Sequence, residues 1–327
     1  MRPVLGLFLG VTLVILILPA MIVGSWEKVA PTPIVQPTET KIQLYVSGSK
    51  QLISISLEEY VKGVLAAEMP ASFHLEALKA QAVAARTYAV KRASAFGGKG
   101  CDAHPQADLC DDPGHCQAWL PAAELQTKWG MLEYQNYWSK ICQAVDSTAG
   151  EIITYQGVVI DPLFHSTCGG RTEAADAVWQ QPYPYLVPVE CPYCQHSPKL
   201  KTEQRYSLAT FAATLHGLDG SIAVTAQALQ SKSSSFAISK QTATGRVDTV
   251  TLGGKSLKAT TVRSALGLNS TRFSHKVEGD QIVFSVQGYG HGVGMCQYGA
   301  DGMGQAGYDY RAILKYYYHG TQTTRIR

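Results

Sequence analysis

Glu68 is the carboxylate whose setting in this 327-residue chain most needs explaining. It lies eleven residues after Leu57, and Leu57, Val61, Val64 and Leu65 form an apolar stripe at helical spacing. Glu68 therefore falls on the face destined for burial, and Pro70 stops the helix just beyond it. A buried carboxylate costs free energy unless it is paired or protonated. Two readings follow: a salt bridge to the next helix, or a general acid with a raised pKa. Lys79 and Arg86 sit seven residues apart on that next helix, on one side together with Val83 and Val90. They can bind a polar or anionic ligand, or pair with Glu68.

A second group lies in the polar loop over residues 97–118, which contains Cys101, His104, Cys110, His115 and Cys116. His104, Cys110 and Cys116 are spaced six apart. Thiolates with an imidazole suit zinc, and three protein ligands leave a fourth position open. The alternative is a disulfide, Cys110 to Cys116 or Cys101 to Cys110, which an extracytoplasmic location permits. A third group is HSTCGG, with His165, Ser166 and Thr167 at a strand end. It reads as a binding loop, because glycine lets a ligand approach the backbone, or as a structural turn. Cys191 and Cys194 form a CPYC pair suited to a cross-link, a metal or packing. Glycines crowd the segment around His291, Gln297 and Tyr298, which reads as tightly turning chain rather than an ordinary helix. It lacks the Gly-Lys-Ser/Thr of a phosphate loop.

The elements that must position these residues form an α+β pattern. KIQLYV and QLISISL alternate as a hairpin leading into the Glu68 helix. Ser72 is a plausible N-cap for the second helix, whose six alanines between 77 and 89 make a thin surface that another backbone can approach. A helical stretch follows near 129–148, then a β run over 152–164. Short strands with one or two helices fill residues 205–290, and YRAILKYYYHGT closes the chain as an amphipathic helix stopped by Gly320. Helices carrying Glu68 are thus expected to pack on mixed or antiparallel β-structure around a cleft.

Net charge is only +3, which argues against a nucleic-acid binder driven by phosphate contacts. Tyrosine (17) outnumbers Phe (8) and Trp (5), and amphipathic aromatics suit sugars as well as ordinary cores. Residues 4–23 carry no charge and match a bilayer in length. No clear A-x-A site follows, so residues 1–25 read as an uncleaved anchor rather than a signal peptide. Residues 26–40, with Pro31, Pro33 and Pro37, read as an extended linker, and residues 41–327 as one folded domain. Arg2 before the apolar run favours a cytoplasmic N-terminus and a domain outside the cytoplasm.

AAEMPASFHLEALKAQAVAARTYA, FHSTCGGRTE, STRF and GYGHGVGMCQYGADGM together resemble the stage II sporulation protein D family, in order from about residue 41 to 320. The resemblance implies a membrane-bound lytic transglycosylase that cuts peptide-free glycan strands of peptidoglycan between MurNAc and GlcNAc. It further implies work beside stage II sporulation proteins P and M during forespore engulfment, from the mother-cell membrane facing the septum. It assigns Glu68 as the catalytic acid. Lys79, Arg86, His165, Ser166, Thr167, His291, Gln297 and Tyr298 match positions associated with the substrate cleft. It also implies one structural zinc on His104, Cys110 and Cys116, not required by the chemistry. Cys168 and Cys296 stand where many members have serine, so neither is an obligatory nucleophile. A cation beside Glu68 would oppose a raised pKa, so Lys79 and Arg86 are expected nearer the sugar's substituents. Two other classes stay open: an amidase enhancer, in which a domain of this family binds wall or partner without cutting, and a zinc hydrolase, for which H-E-x-x-H and a base beside the metal are missing.

The apolar run makes one prediction by itself. The full chain should sediment with membranes, with its domain open to protease from outside the cytoplasm. A mature chain starting near residue 25 would show cleavage instead.

Overall fold

A computed structural model describes residues 40–326 apart from 180, 223 and 232–234. The anchor expected over 4–23 lies outside those residues. Among the described residues, no helix is long and apolar enough to cross a membrane.

The expected hairpin is present. Strands β1 (Lys41–Val46) and β2 (Gln51–Ser56) pair antiparallel with Lys41 opposite Ser56. Ser56 then caps α1 (Leu57–Glu68) in a reciprocal capping box with Glu59. Helix α2 (Leu75–Arg92) begins three residues beyond Ser72, because His74 is its cap. The His74 imidazole accepts the Glu76 N–H at 3.3 Å, and Asp301 accepts the His74 N–H at 2.6 Å. Strand β3 (Leu109–Cys110) joins β1 in parallel. Helix α3 (Ala122–Asp146) starts earlier than the sequence suggested and kinks at Gly130. Strands β4 (Glu151–Tyr155) and β5 (Val158–Val159) form a second hairpin, and β6 (Phe164–His165) and α4 (Ala175–Trp179) follow.

The chain then leaves this core and builds another. It runs through β7 (Lys201–Ser207), α5 (Leu208–Leu218), α6 (Ala226–Ser231), β8 (Phe236–Gln241), β9 (Val247–Leu252), β10 (Lys255–Lys258), α7 (Ala259–Leu266), β11 (Phe273–Glu278) and β12 (Gln281–Gln287). These make two three-stranded antiparallel sheets around Phe211, Phe236 and Phe284. The return segment rejoins the first core as β13 (Met295–Cys296), parallel to β6, and continues into α8 (Gln297–Gln305), α9 (Tyr310–Tyr317) and β14 (Gln322–Arg325), which pairs with β4. The fold is mixed α+β with several small sheets. Two hydrophobic clusters share one compact unit from Thr40 onward.

Helix α8 departs from the sequence reading, since its glycines do not prevent a helix. They let it lie against its neighbours: a side chain at Gly299 would strike Cys191 and Tyr317, and one at Gly302 the Tyr193 carbonyl. Close packing offsets the propensity cost of glycine, roughly 1 kcal/mol each relative to alanine.

Helix α2 is buried nearly all round, as its alanines suggested, and Arg86 lies wholly inside. Its guanidinium donates to both Glu58 carboxylate oxygens, at 2.6–3.1 Å, and to the carbonyls of Glu151 (3.1 Å) and Val145 (3.3 Å). Arg86 is therefore a tie between α1, α2, α3 and β4, and not a ligand for substrate. Lys79 is also committed elsewhere: it pairs with Glu76 at 2.7 Å and lies over the Tyr310 ring. Removing one partner of a buried pair strands the other charge. Glu58→Ala should lower unfolding free energy in urea by about 3 kcal/mol or more, with Arg86 left unpaired. A loss under about 0.5 kcal/mol, the scale of an ordinary surface substitution, would reject that role.

Candidate active site

Glu68 ends α1 and opens onto a cleft of about 440 Å³. The lining includes Phe164, His165 and Ser166 from β6 and its exit, Tyr289, Gly290 and His291 from the return segment, and Gln297 and Tyr298 from the start of α8. Pro70, Pro198 and Lys199 complete it. Glu68 is the lone carboxylate among these residues. The Ala118 amide donates to its Oε1 at 2.8 Å, and Gln297 Nε2 donates to its backbone carbonyl at 3.2 Å. Burial pushes the Glu68 carboxyl up from its ordinary value; the Ala118 amide and the Lys128 cation pull the other way. Lys128 also caps the end of α1, donating to the Ala66 carbonyl at 2.7 Å.

The return segment can run beside β6 only because of its glycines. Gly290 and Gly294 both have positive φ, and a side chain on Gly290 would strike His165, one on Gly294 the Leu163 carbonyl. This contact brings two imidazoles together, with ring centroids 5.5 Å apart. His165 Nδ1 lies 3.0 Å from the Val293 carbonyl, an acceptor only, so Nδ1 carries the proton and Nε2 is a bare acceptor without a partner. His291 Nδ1 accepts the Val293 N–H at 3.1 Å, which leaves its proton on Nε2. Burial holds His165 well below the usual imidazole range and His291 down at about 4, so both are neutral near pH 7. Tyr298 packs edge-on to Phe73 at 4.8 Å, and its amide donates to the Ser166 carbonyl at 3.1 Å. Thr167 turns away from the cleft and bonds Ser197 at 2.7 Å.

The structure thus brings Glu68, His165, Ser166, His291, Gln297 and Tyr298 to one cleft and leaves Lys79, Arg86 and Thr167 outside it. The cation at the cleft is Lys199, which the sequence did not single out. It stands in an irregular stretch after the CPYC turn, where no periodicity marks a binding face.

The cysteine loop is rearranged relative to expectation. The sulfurs of Cys101, Cys110 and Cys116 lie within 4.8 Å of one another, while the His104 ring stacks on Tyr45 at 3.8 Å. It is thus Cys101, and not His104, that groups with Cys110 and Cys116. Three thiolates fit a soft ion such as zinc. The loop is anchored in the core: β3 carries Leu109 and Cys110 into it, and Asp108 accepts the amides of Gln43 and Ser94, both at 2.8 Å. A second set, Cys168, Cys191, Cys194 and Cys296, is buried and equally tight. Four sulfurs so placed could hold a structural metal such as zinc.

A family model for the stage II sporulation protein matches residues 45–155. Stage II sporulation protein D of Bacillus subtilis (strain 168) is 42% identical over 86% of this chain and 78% of its own length. The chain belongs to the stage II sporulation protein D family. Stage II sporulation protein D of Bacillus amyloliquefaciens is 34% identical over 98% of this chain and 95% of its own. An amidase enhancer of Bacillus subtilis is 28% identical over 81% of this chain but only 40% of its own. The match over 45–155 spans Glu68 and the cysteine loop, whereas the cleft's other wall, from His165 to Tyr298, lies beyond it.

Because Lys128 holds the Glu68 carboxyl down against burial, Lys128→Met should raise its titration midpoint. Carbon-13 NMR of glutamate-labelled protein reads this directly, and an unchanged or lowered midpoint would refute the assigned cause.

Proposed function

We propose that the protein is a membrane-anchored lytic transglycosylase acting in sporulation-related remodelling of the cell wall. Its substrate is the peptide-free glycan strand of peptidoglycan, cut between MurNAc and GlcNAc to leave anhydro-MurNAc ends during forespore engulfment. The supporting observation is a lone carboxylate, raised by burial, in a cleft lined by Phe164, Tyr289 and Tyr298. Most glycosidases pair two carboxylates. One is enough when the nucleophile is the muramic acid's own C6 hydroxyl. Protonated Glu68 gives its proton to the leaving glycosidic oxygen as the C1–O bond breaks. The C6 oxygen then bonds to C1, and the Glu68 carboxylate takes the hydroxyl proton. The ring closes without water and the acid is restored. The Ala118 amide fixes one carboxylate oxygen during both transfers, leaving the other toward the sugar. Neutral His165 and His291 suit a wall that meets uncharged sugar hydroxyls rather than anions. Lys199 supplies positive charge for the lactyl carboxylate of a naked strand.

Zinc in the loop would be held by Cys101, Cys110 and Cys116 and supply rigidity. Ala118, two residues after Cys116, is the amide that grips Glu68. The expected partners are the wall glycan, the membrane through the anchor, and stage II sporulation proteins P and M. The likeness to an amidase enhancer favours a second reading, in which the same cleft binds glycan and stimulates another enzyme without cutting.

Purified protein on peptide-free strands, with mass analysis for anhydro ends, separates the two. Glu68→Gln should reduce cleavage below about one hundredth of wild type. Its fold should persist: a carboxyl raised by the folded state loses stability as pH rises through that raised value, and the neutral amide avoids this. Wild-type cleavage should likewise fall as pH climbs past the Glu68 pKa. Glu68→Gln at more than that fraction removes Glu68 as the acid; an intact wild type that binds strands but never yields anhydro ends supports the enhancer reading.

A further inference from the structure

Behind the cleft wall, three parts of the chain converge on Cys168, Cys191, Cys194 and Cys296. Cys168 follows Ser166 by two residues, and Cys296 immediately precedes Gln297. Cys191 caps and Cys194 ends the short 3-10 turn Pro192–Cys194. All four side chains are fully buried, and their sulfurs lie within 4.8 Å of one another, with Cys168 and Cys194 at 3.6 Å. We propose that these four thiolates form a closed structural zinc site, separate from the loop of Cys101, Cys110 and Cys116, that locks the two walls of the cleft together.

The geometry favours an ion over disulfides. A disulfide draws two sulfurs to about 2.0 Å and leaves the other pair to find its own partner. Here each sulfur has three others at similar range. A tetrahedral zinc with bonds of about 2.3 Å sets its ligand sulfurs roughly 3.8 Å apart. The same closeness disfavours a four-iron cluster, where each cysteine sits on a different iron and the sulfurs stand farther apart. The CPYC turn presents two sulfurs from one short turn, as structural zinc sites do.

The surroundings are built for anionic sulfur. Cys296 Sγ accepts the amides of Cys168 and Gly299, both at 3.3 Å, and Cys168 Sγ that of Gly170 at 3.4 Å. The Tyr317 hydroxyl is 3.1 Å from Cys191 Sγ. Such outer hydrogen bonds orient and charge-stabilise metal-bound thiolates. A second, independent feature is Arg246. It is 1% exposed, its Nη2 donates to the Cys168 carbonyl at 2.7 Å, and its Nε and Nη1 have no partner. Loading takes one Zn²⁺ and releases four thiol protons, which leaves the site with a charge of −2 that this cation faces in addition to Glu173. The glycine at 299 fits the same purpose, since any side chain there would fill the space beside Cys191 Sγ. Tied this way, the Ser166 end of β6 and the start of α8 keep their spacing, although the whole second core lies between them in sequence.

The test is metal content of the full chain, purified without added metal, with and without Cys191→Ser/Cys194→Ser. The double variant should lose one zinc per chain relative to its parent, whether or not the loop cysteines are intact. Should that variant fail to fold, the triple variant Cys101→Ser/Cys110→Ser/Cys116→Ser carries the same test: it should retain one zinc, and X-ray absorption should show four sulfurs at about 2.3 Å. Zinc absent from the triple variant, with a mass lowered by the hydrogens of two disulfides, would overturn the proposal. So would iron in place of zinc, or nitrogen and oxygen neighbours around the ion.

Discussion

The described fold depends on a buried cation at the centre of a thin helix. Arg86 lies within α2, where alanines let α1, α3 and β4 approach closely, and it binds groups from all three. Glu58 neutralises it and also accepts the Gly150 amide at 3.1 Å, so one ion pair organises the entry to β4 and the start of α1. Low polarity around the pair makes the attraction strong and makes any mispairing costly, so the arrangement has one satisfactory register. Glu68 inherits its place from that register, three turns along the same helix.

The cleft is made where the chain returns. Residues 208–286 fold around their own phenylalanines, and the segment after β12 must come back along β6 without side chains between the backbones. Glycines at 290 and 294 make that approach possible, and His291 and Gln297 are carried to within reach of Glu68. The two histidines meet because of this contact, and burial then removes their charge. A carboxyl whose pKa is pushed up by desolvation and imidazoles kept neutral by the same cause form a site that favours uncharged polar groups, with Lys199 as its cationic edge.

The two cysteine sets lie in different parts of the chain near the cleft. The loop with Cys101, Cys110 and Cys116 leads to the Ala118 amide that holds the carboxylate; the buried four lie behind Ser166 and Gln297. Neither set is among the residues that line the cleft. The Glu68 pKa is pushed up by burial, with the Ala118 amide and Lys128 opposing it.

Glu68 and its helix, the leading hairpin, the α+β pattern and the closing amphipathic helix were all legible from the sequence, because periodicity and a proline stop are local signals. Family motifs also marked His165, Ser166, His291, Gln297 and Tyr298. Side-chain partnership was not legible. Lys79 and Arg86 share a helical side, yet the first meets Glu76 and the second Glu58, since spacing tells which way a side chain points and not what packs opposite. His104 has the right spacing for a ligand, but its ring stacks on Tyr45, and the residue that meets Cys110 and Cys116 is Cys101. Helix α8 forms despite its glycines because neighbours fill the space that side chains would occupy. The sequence by itself determined the local elements and the residue types at the cleft; only the tertiary structure decided which charges pair, which cysteines meet and where Lys199 stands, because those depend on contacts between segments that are distant in the chain.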